Sequence, residues 1–212
     1  MRSQGRRIGD VTWRLTLSRA AAAAAAVATV ATTAVVGCTS AAQSRPDDMP
    51  EPAVVVQDPS MAIAELRDPA GAPVGTARLT ADENGTIHLV LHVDGMTAGQ
   101  HGVHFHSVGS CQRGDSTAFA SAGGHHNPLS RKHGLENPDG PHAGDLPNLV
   151  VDANGAGHLD TQTARATLRP GPATLFDADG SSLVVHAGAD DQKTDPSGNS
   201  GARVACGVIV KS

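Results

Sequence analysis

The chain has 212 residues, enough for one ordinary domain of about 150 residues with an appendage. Aromatic residues make up 2%, with Trp13 the single tryptophan and no tyrosine, so no base-stacking platform for single-stranded nucleic acid is present. Formal net charge is −5, but residues 1–37 hold five arginines against Asp10; the remainder carries 11 basic and 20 acidic side chains, a net of −9 that repels phosphate and excludes nucleic-acid binding.

At the amino terminus Arg2, Arg6, Arg7, Arg14 and Arg19 surround or precede an uncharged, alanine-dominated run from Ala20 to Val36. A basic segment followed by an apolar one predicts an export signal over 1–37 rather than part of the fold. The run's 17 residues are marginal for crossing a bilayer. It ends in Val35-Val36-Gly37-Cys38, which resembles a bacterial lipobox and predicts that Cys38 is lipidated and becomes the mature first residue. An ordinary signal peptide and an uncleaved anchor are the competing readings, and the export route, Sec or Tat, stays open. The expected location is the extracytoplasmic face of a membrane. Residues 38–59 are polar, with Pro46, Pro50, Pro52 and Pro59, and read as a flexible tether. The folded domain is expected over 60–212, enough for a single core.

Within it, Ala62 to Leu66 reads as a strand, with a turn at Asp68-Pro69-Ala70-Gly71. Gly75 to Thr80 reads as the next, and Asp82-Glu83-Asn84-Gly85 is an Asn-Gly hairpin signal. Thr86 to Val93 alternates, with Ile87, Leu89, Leu91 and Val93 on one face and His88 and His92 on the other. A second hairpin signal, Asp152-Ala153-Asn154-Gly155, separates Leu149–Val151 from His158–Thr163. Leu183–His186 and Val204–Val210 complete about eight short strands without helical periodicity, which predicts an antiparallel sandwich or barrel. Residues 107–148 and 187–202 do not read as strands, and loops of this length in a compact domain are usually functional or disordered.

Three cysteines are present, Cys38, Cys111 and Cys206. If Cys38 carries lipid, the other two in an exported chain are expected to form one disulfide. They lie 95 residues apart, a closure worth up to about 4.7 kcal/mol in the chain-entropy account.

All 11 histidines fall between His88 and His186. In Gly102-Val103-His104-Phe105-His106 the two histidines are two apart, so on a strand both imidazoles share a face, with Phe105 opposite. Two convergent neutral imidazoles suit copper or zinc. His125, His133, His142 and Asp145, spaced 8, 9 and 3 residues apart, offer three nitrogens and one carboxylate, a full tetrahedral shell of the structural-zinc kind. His186 ends an apolar strand.

Taken together, His101–His106, Gly124–His133, His142–Leu146, Leu183–His186 and Gly201–Gly207 resemble the copper/zinc superoxide dismutase family across residues 60–212. The resemblance implies an all-β, eight-stranded antiparallel Greek-key barrel with two long functional loops. It implies copper held by His104, His106, His125 and His186, and zinc held by His125, His133, His142 and Asp145, so that His125 bridges the two. Asp190 would link His104 to His133, Cys111 and Cys206 would form the family disulfide, Arg203 would guide the anion, and His101 would be structural. The implied reaction converts superoxide to dioxygen and hydrogen peroxide by a redox-cycling copper beside a structural zinc, with His125 taking and returning a proton.

The expected partners are superoxide anion and a membrane through the lipid anchor, with monomer and homodimer both open. Lys132 and Lys193 are further candidates for a positive focus around Arg203, although the 187–202 segment is short and acidic. His88, His92, His126 and His158 are read as having no special role. The competing functions are a membrane-anchored copper/zinc buffer without significant turnover and a structural barrel whose metals only stabilise loops.

Overall fold

The computed structural model describes residues 60–114 and 117–212. The predicted export signal, the tether and Cys38 lie outside the described residues.

Among the described residues ten strands form one antiparallel sheet: β1 (Met61–Arg67), β2 (Pro73–Ala81), β3 (Ile87–Val93), β4 (Gly99–His101), β5 (Val103–His106), β6 (Leu149–Val151), β7 (Gly157–Thr163), β8 (Ser182–His186), β9 (Arg203–Val208) and β10 (Val210–Lys211). Their spatial order is β4-β6-β7-β3-β2-β1-β9-β8-β5, with β10 also on β1. The meander β1-β2-β3 is local. By contrast β4 skips to β6 and β1 pairs with β9, the non-local connections of a Greek key. The two ends of the order, β4 and β5, are joined through Gly102, so the sheet curls round nearly to a closed barrel.

The expected hairpins form for a local reason. At Asp82–Gly85 the Gly85 N–H donates to the Asp82 carbonyl, with Gly85 at φ 86°, a left-handed conformation that favours glycine. The Asp82 carboxylate accepts from the N–H of Asn84 and of Thr86. Asp152 holds the second hairpin in the same way, through Asn154 and Ala156.

Two strands more than the eight expected are present. β4, Gly-Gln-His, has no apolar alternation to announce it and exists because it pairs with β6. β10 is the end of the expected last strand, cut off at Ile209, whose N–H turns to the Ser181 carbonyl. A further strandless stretch, 164–181, is pinned by Arg169, which donates to the carbonyls of Asp82 and Glu83.

The barrel interior is aliphatic. Leu66, Leu79, Ile87, Leu89, Leu91, Leu149, Leu183 and Phe105 are completely buried in one cluster, each worth roughly 1.5–3 kcal/mol of burial. β8 is buried on both faces: Leu183 and Val185 join this core, whereas Val184 packs with Phe119, Ala122 and Cys206 beneath the 107–148 loop. That second, smaller core carries the outer-face side chains of β5 and β8 out of water, and His104, His106 and His186 stand on that side.

Candidate metal centre

β5 is the platform. Its period of two sends Val103 and Phe105 into the core and His104 and His106 to the outer face, where all four are buried. β8 pairs with one edge of β5. Along the other edge the 107–148 loop is stitched by backbone hydrogen bonds: Phe105 N–H donates to the Gly144 carbonyl, and His126 N–H donates to the Phe105 carbonyl. The same seam sets His104 opposite Asp145 and His106 opposite His125. His186 arrives from β8 at a register shift between Val185 and His186, the kind of bulge that re-aims a side chain.

His104, His106, His125 and His186 each place one ring nitrogen within 4.8 Å of the others. Their remaining partners fix which nitrogen is free. His106 Nδ1–H donates to the Gly123 carbonyl at 3.0 Å and His186 Nδ1–H to the Gly201 carbonyl at 3.1 Å. His104 Nε2–H donates to Asp190 Oδ2 at 2.6 Å. The lone pairs therefore sit on His106 Nε2, His186 Nε2 and His104 Nδ1. The two Nε2 atoms face each other at 3.4 Å without a proton between them, and His104 Nδ1 and His125 Nε2 are buried with no partner. Buried polar atoms are ordinarily paired, so these orphans are the signature of a cation-binding donor set.

The second half is built round one oxygen. Asp145 Oδ1 lies 3.0 Å from His125 Nδ1, 3.1 Å from His133 Nδ1 and 3.3 Å from His142 Nδ1, and the His142 and His125 Nδ1 atoms are 3.4 Å apart. A tetrahedron with bonds of about 2.0–2.1 Å has edges of about 3.3–3.4 Å, so these four donors stand close to the edge lengths of a zinc shell. Asp145 Oδ2 accepts from the N–H groups of Gly134 and His142, which fixes the carboxylate. His104 also comes within 4.8 Å of His125, His133 and Asp145. Its ring stacks on His125 at a centroid distance of 3.9 Å, but its Nε2 is held by Asp190, and this assigns it to the first group.

Asp190 joins the halves, its Oδ1 lying 3.0 Å from His133 Nε2 while Oδ2 takes His104. Asn148 clamps its backbone from both sides: the Asp190 N–H donates to Asn148 Oδ1, and Asn148 Nδ2 donates to the Asp190 carbonyl, each at 2.8 Å. Gly198 (φ 61°) must be glycine, since a Cβ there would lie 1.8 Å from Asp190 Oδ1. Asp195 accepts from the His133 N–H at 2.7 Å. Sequence reading missed Asn148, Asp195 and Gly198, and no spacing announces them.

The electrostatics follow from burial and carboxylates. Burial pushes His104 down to about 3 and His186 to about 4, and His106 and His125 move the same way. Burial also opposes charge on His133, but its hydrogen bonds to Asp145 and Asp190 outweigh that and raise it to about 9. Both carboxylates are held well below the usual range by their histidine partners, against the effect of burial.

Arg203 is half-buried, and its guanidinium donates to the carbonyls of Phe119 and Gly123; the latter is also the acceptor of His106 Nδ1–H. Cys111 and Cys206 form a disulfide with Cα atoms 5.7 Å apart, tying the 107–148 loop to β9 three residues beyond Arg203. Lys132 pairs with Asp195 and Lys193 with Glu136, each at 2.9 Å, so neither is a free cation. His101 lies outside both donor groups; its ring nitrogens face the carbonyls of His186 (2.7 Å) and Thr97 (2.8 Å). His126 is buried, with its Nε2 unpartnered.

A family model described as copper/zinc superoxide dismutase (SODC) matches residues 74–209. The superoxide dismutase [Cu-Zn] of Caulobacter vibrioides is 44% identical over 151 residues, covering 70% of this chain and 84% of its own. Superoxide dismutase [Cu-Zn] 2 of Aquifex aeolicus is 41% identical over 148 residues, with 69% and 84% covered. Among solved structures, a SOD-like protein from Bacillus subtilis superposes with a TM-score of 0.62 at 38% identity, covering 70% of this chain and 97% of that one. With the barrel, the two convergent donor groups and these relatives in agreement, this chain belongs to the copper/zinc superoxide dismutase family.

Proposed function

We propose that this chain disproportionates two superoxide anions and two protons to dioxygen and hydrogen peroxide outside the cytoplasmic membrane, tethered there by a lipid on Cys38. Copper is held by His104, His106, His125 and His186, and zinc by His125, His133, His142 and Asp145. The observation that carries this reading is His125, whose Nδ1 lies 3.0 Å from Asp145 in one donor group while its buried Nε2 points, unpartnered, into the other. A metal buffer has no need of a ring shared between two sites, so the storage reading is not favoured.

When bound, copper supplies a one-electron couple that accepts an electron from one superoxide and returns it to a second, and zinc is redox-inert. The protein's own part is positional and protonic. His106, His186 and His104 present lone pairs because their other nitrogens are committed to carbonyls and to Asp190. His125 Nε2 is the atom able to hold a proton beside the substrate and release it as peroxide forms. Arg203 supplies positive charge at the edge of a site on a chain whose portion after residue 37 carries a net of −9. The export assignment rests on the arginine-led amino terminus and on Val35-Val36-Gly37-Cys38.

The test is superoxide dismutation by the metal-loaded protein beside His186→Ala and Arg203→Ala. The parent should be fast, His186→Ala should fall to the background of free metal, and Arg203→Ala should be slower with a flatter ionic-strength dependence. A fully metallated parent no better than free copper would sink the enzymatic reading. Palmitate incorporation that survives Cys38→Ser would sink the anchor.

A further inference from the structure

Three histidines that the metal centre leaves unused share one outer face of the sheet. β3 and β7 pair antiparallel with His92 opposite His158 and Val90 opposite Asp160. Residues two apart on a strand point the same way, so His88 and His92 stand on the outer face with His158 and Asp160, while Leu89, Leu91 and Leu159 fill the core. Going round the sheet by either path, at least two strands separate this pair from the strands that carry the metal-centre histidines.

The two contacts on this face differ in kind. His88 Nε2 and Asp160 Oδ1, 2.6 Å apart, are a complementary donor and acceptor. His92 and His158 instead present the same atom to each other: their Nδ1 atoms lie 3.2 Å apart, with ring centroids at 4.4 Å and 35° between planes. Both rings are exposed, and neither has another hydrogen-bond partner among the described residues. A separation of 3.2 Å is also close to the edge of a four-coordinate shell with bonds of about 2.0 Å. The hollow beside the pair is lined by Asp94 and Asp152. Asp152 is committed to its hairpin, but the Asp94 carboxylate makes no hydrogen bond among the described residues.

We propose that His92 and His158 form a third metal site, a surface chelate that takes a borderline divalent cation, copper(II) or zinc(II), through their two Nδ1 atoms. Imidazole nitrogen is the donor such cations favour, and the Asp94 carboxylate lining the hollow beside the pair adds negative charge. The two rings are carried by strands paired over seven consecutive registers, so the donors are held together before the metal arrives. The remaining positions are open to water, which makes the site one of exchangeable metal rather than a closed structural shell.

The full chain, already loaded with copper and zinc, is dialysed against increasing copper(II), and bound metal is counted alongside the electron paramagnetic resonance spectrum. The parent should take up one further equivalent with its own signal. That equivalent should be lost in His92→Ala and equally in His158→Ala, and kept in His88→Ala, which removes a neighbouring imidazole from the same face. Failure of the parent to bind the extra equivalent overturns the site, as does its survival in either single His92 or His158 variant. Both positions are exposed, so these substitutions leave the core intact. Loss in all three variants would assign the metal to the whole histidine face and overturn the two-residue chelate.

Discussion

The two halves of the metal centre share His125 and are otherwise built by opposite means. In the half formed with His104, His106 and His186 no carboxylate is a donor, burial holds the rings neutral, and each second nitrogen is committed to a carbonyl or to Asp190. In the half formed with His133 and His142 a buried carboxylate stands at the centre, and together with Asp190 it raises His133 although burial acts the other way. The difference teaches which cation each half suits. A neutral imidazole set opposes neither charge of a one-electron couple, whereas a carboxylate shell favours a dication of fixed charge.

The sharpest way to break that contrast is Asp145→Asn. The neutral amide removes the only charged donor, and its nitrogen must replace either the oxygen among the three histidines or the one that accepts from the Gly134 and His142 N–H groups. Zinc content after dialysis should fall to background, and the metal-free domain should lose about 3–5 kcal/mol, the scale expected when one partner of a buried charge pair is removed. Retention of stoichiometric zinc would show that the three histidines suffice and that the carboxylate is not what distinguishes this half.

A smaller effect is expected from Asp190→Asn, which keeps the side-chain shape but not the charge between His104 and His133. Outer partners of metal ligands are worth roughly 10–100-fold in affinity, and because Asp190 touches a ring from each half, copper and zinc affinity should fall together. A loss confined to one metal would mean that Asp190 orients a single ring. Asn148 then serves as the control, since it holds the Asp190 backbone without touching either ring.

Much of this centre was legible because strand periodicity and loop spacing are one-dimensional facts. The His104/His106 pair points outward because a strand alternates, and the Asn-Gly and Asp-x-Asn-Gly turns form through contacts spanning four residues. What escaped reading depends on register between distant segments. Asn148 acts only because residues 187–202 fold back over the start of β6, and Gly198 is required only because Asp190 lies against it. The pairing of Lys132 with Asp195 likewise needs two loops to meet. His92 and His158 look unconnected in the chain and become neighbours only through the β3–β7 register.

The same contrast should shape stability against pH in the metal-free protein, at a scale of about 1.4 kcal/mol per pH unit for each group within its window. His104 and His186 sit at about 3 and 4 in the fold, against 6.5 as the ordinary value. Between 6.5 and 4 the unfolded chain binds protons that the fold refuses, so stability complete above pH 6.5 is lost as pH falls towards 4. His133 runs the other way. At about 9 in the fold it keeps a proton that the unfolded chain has released, so its contribution is complete below pH 6.5 and is lost as pH rises through 9. The urea midpoint of metal-free protein should therefore peak near pH 6.5 and decline on both sides. In the proposed shell zinc takes His133 Nδ1, one of the two atoms through which Asp145 and Asp190 hold the ring. Loading zinc alone should therefore flatten the alkaline decline, while the part of the acid decline set by His104 and His186, which stand outside the proposed zinc shell, remains in place. An alkaline slope unchanged by zinc would place its origin outside His133, and the carboxylate half would lose its claim to be the charge-built one.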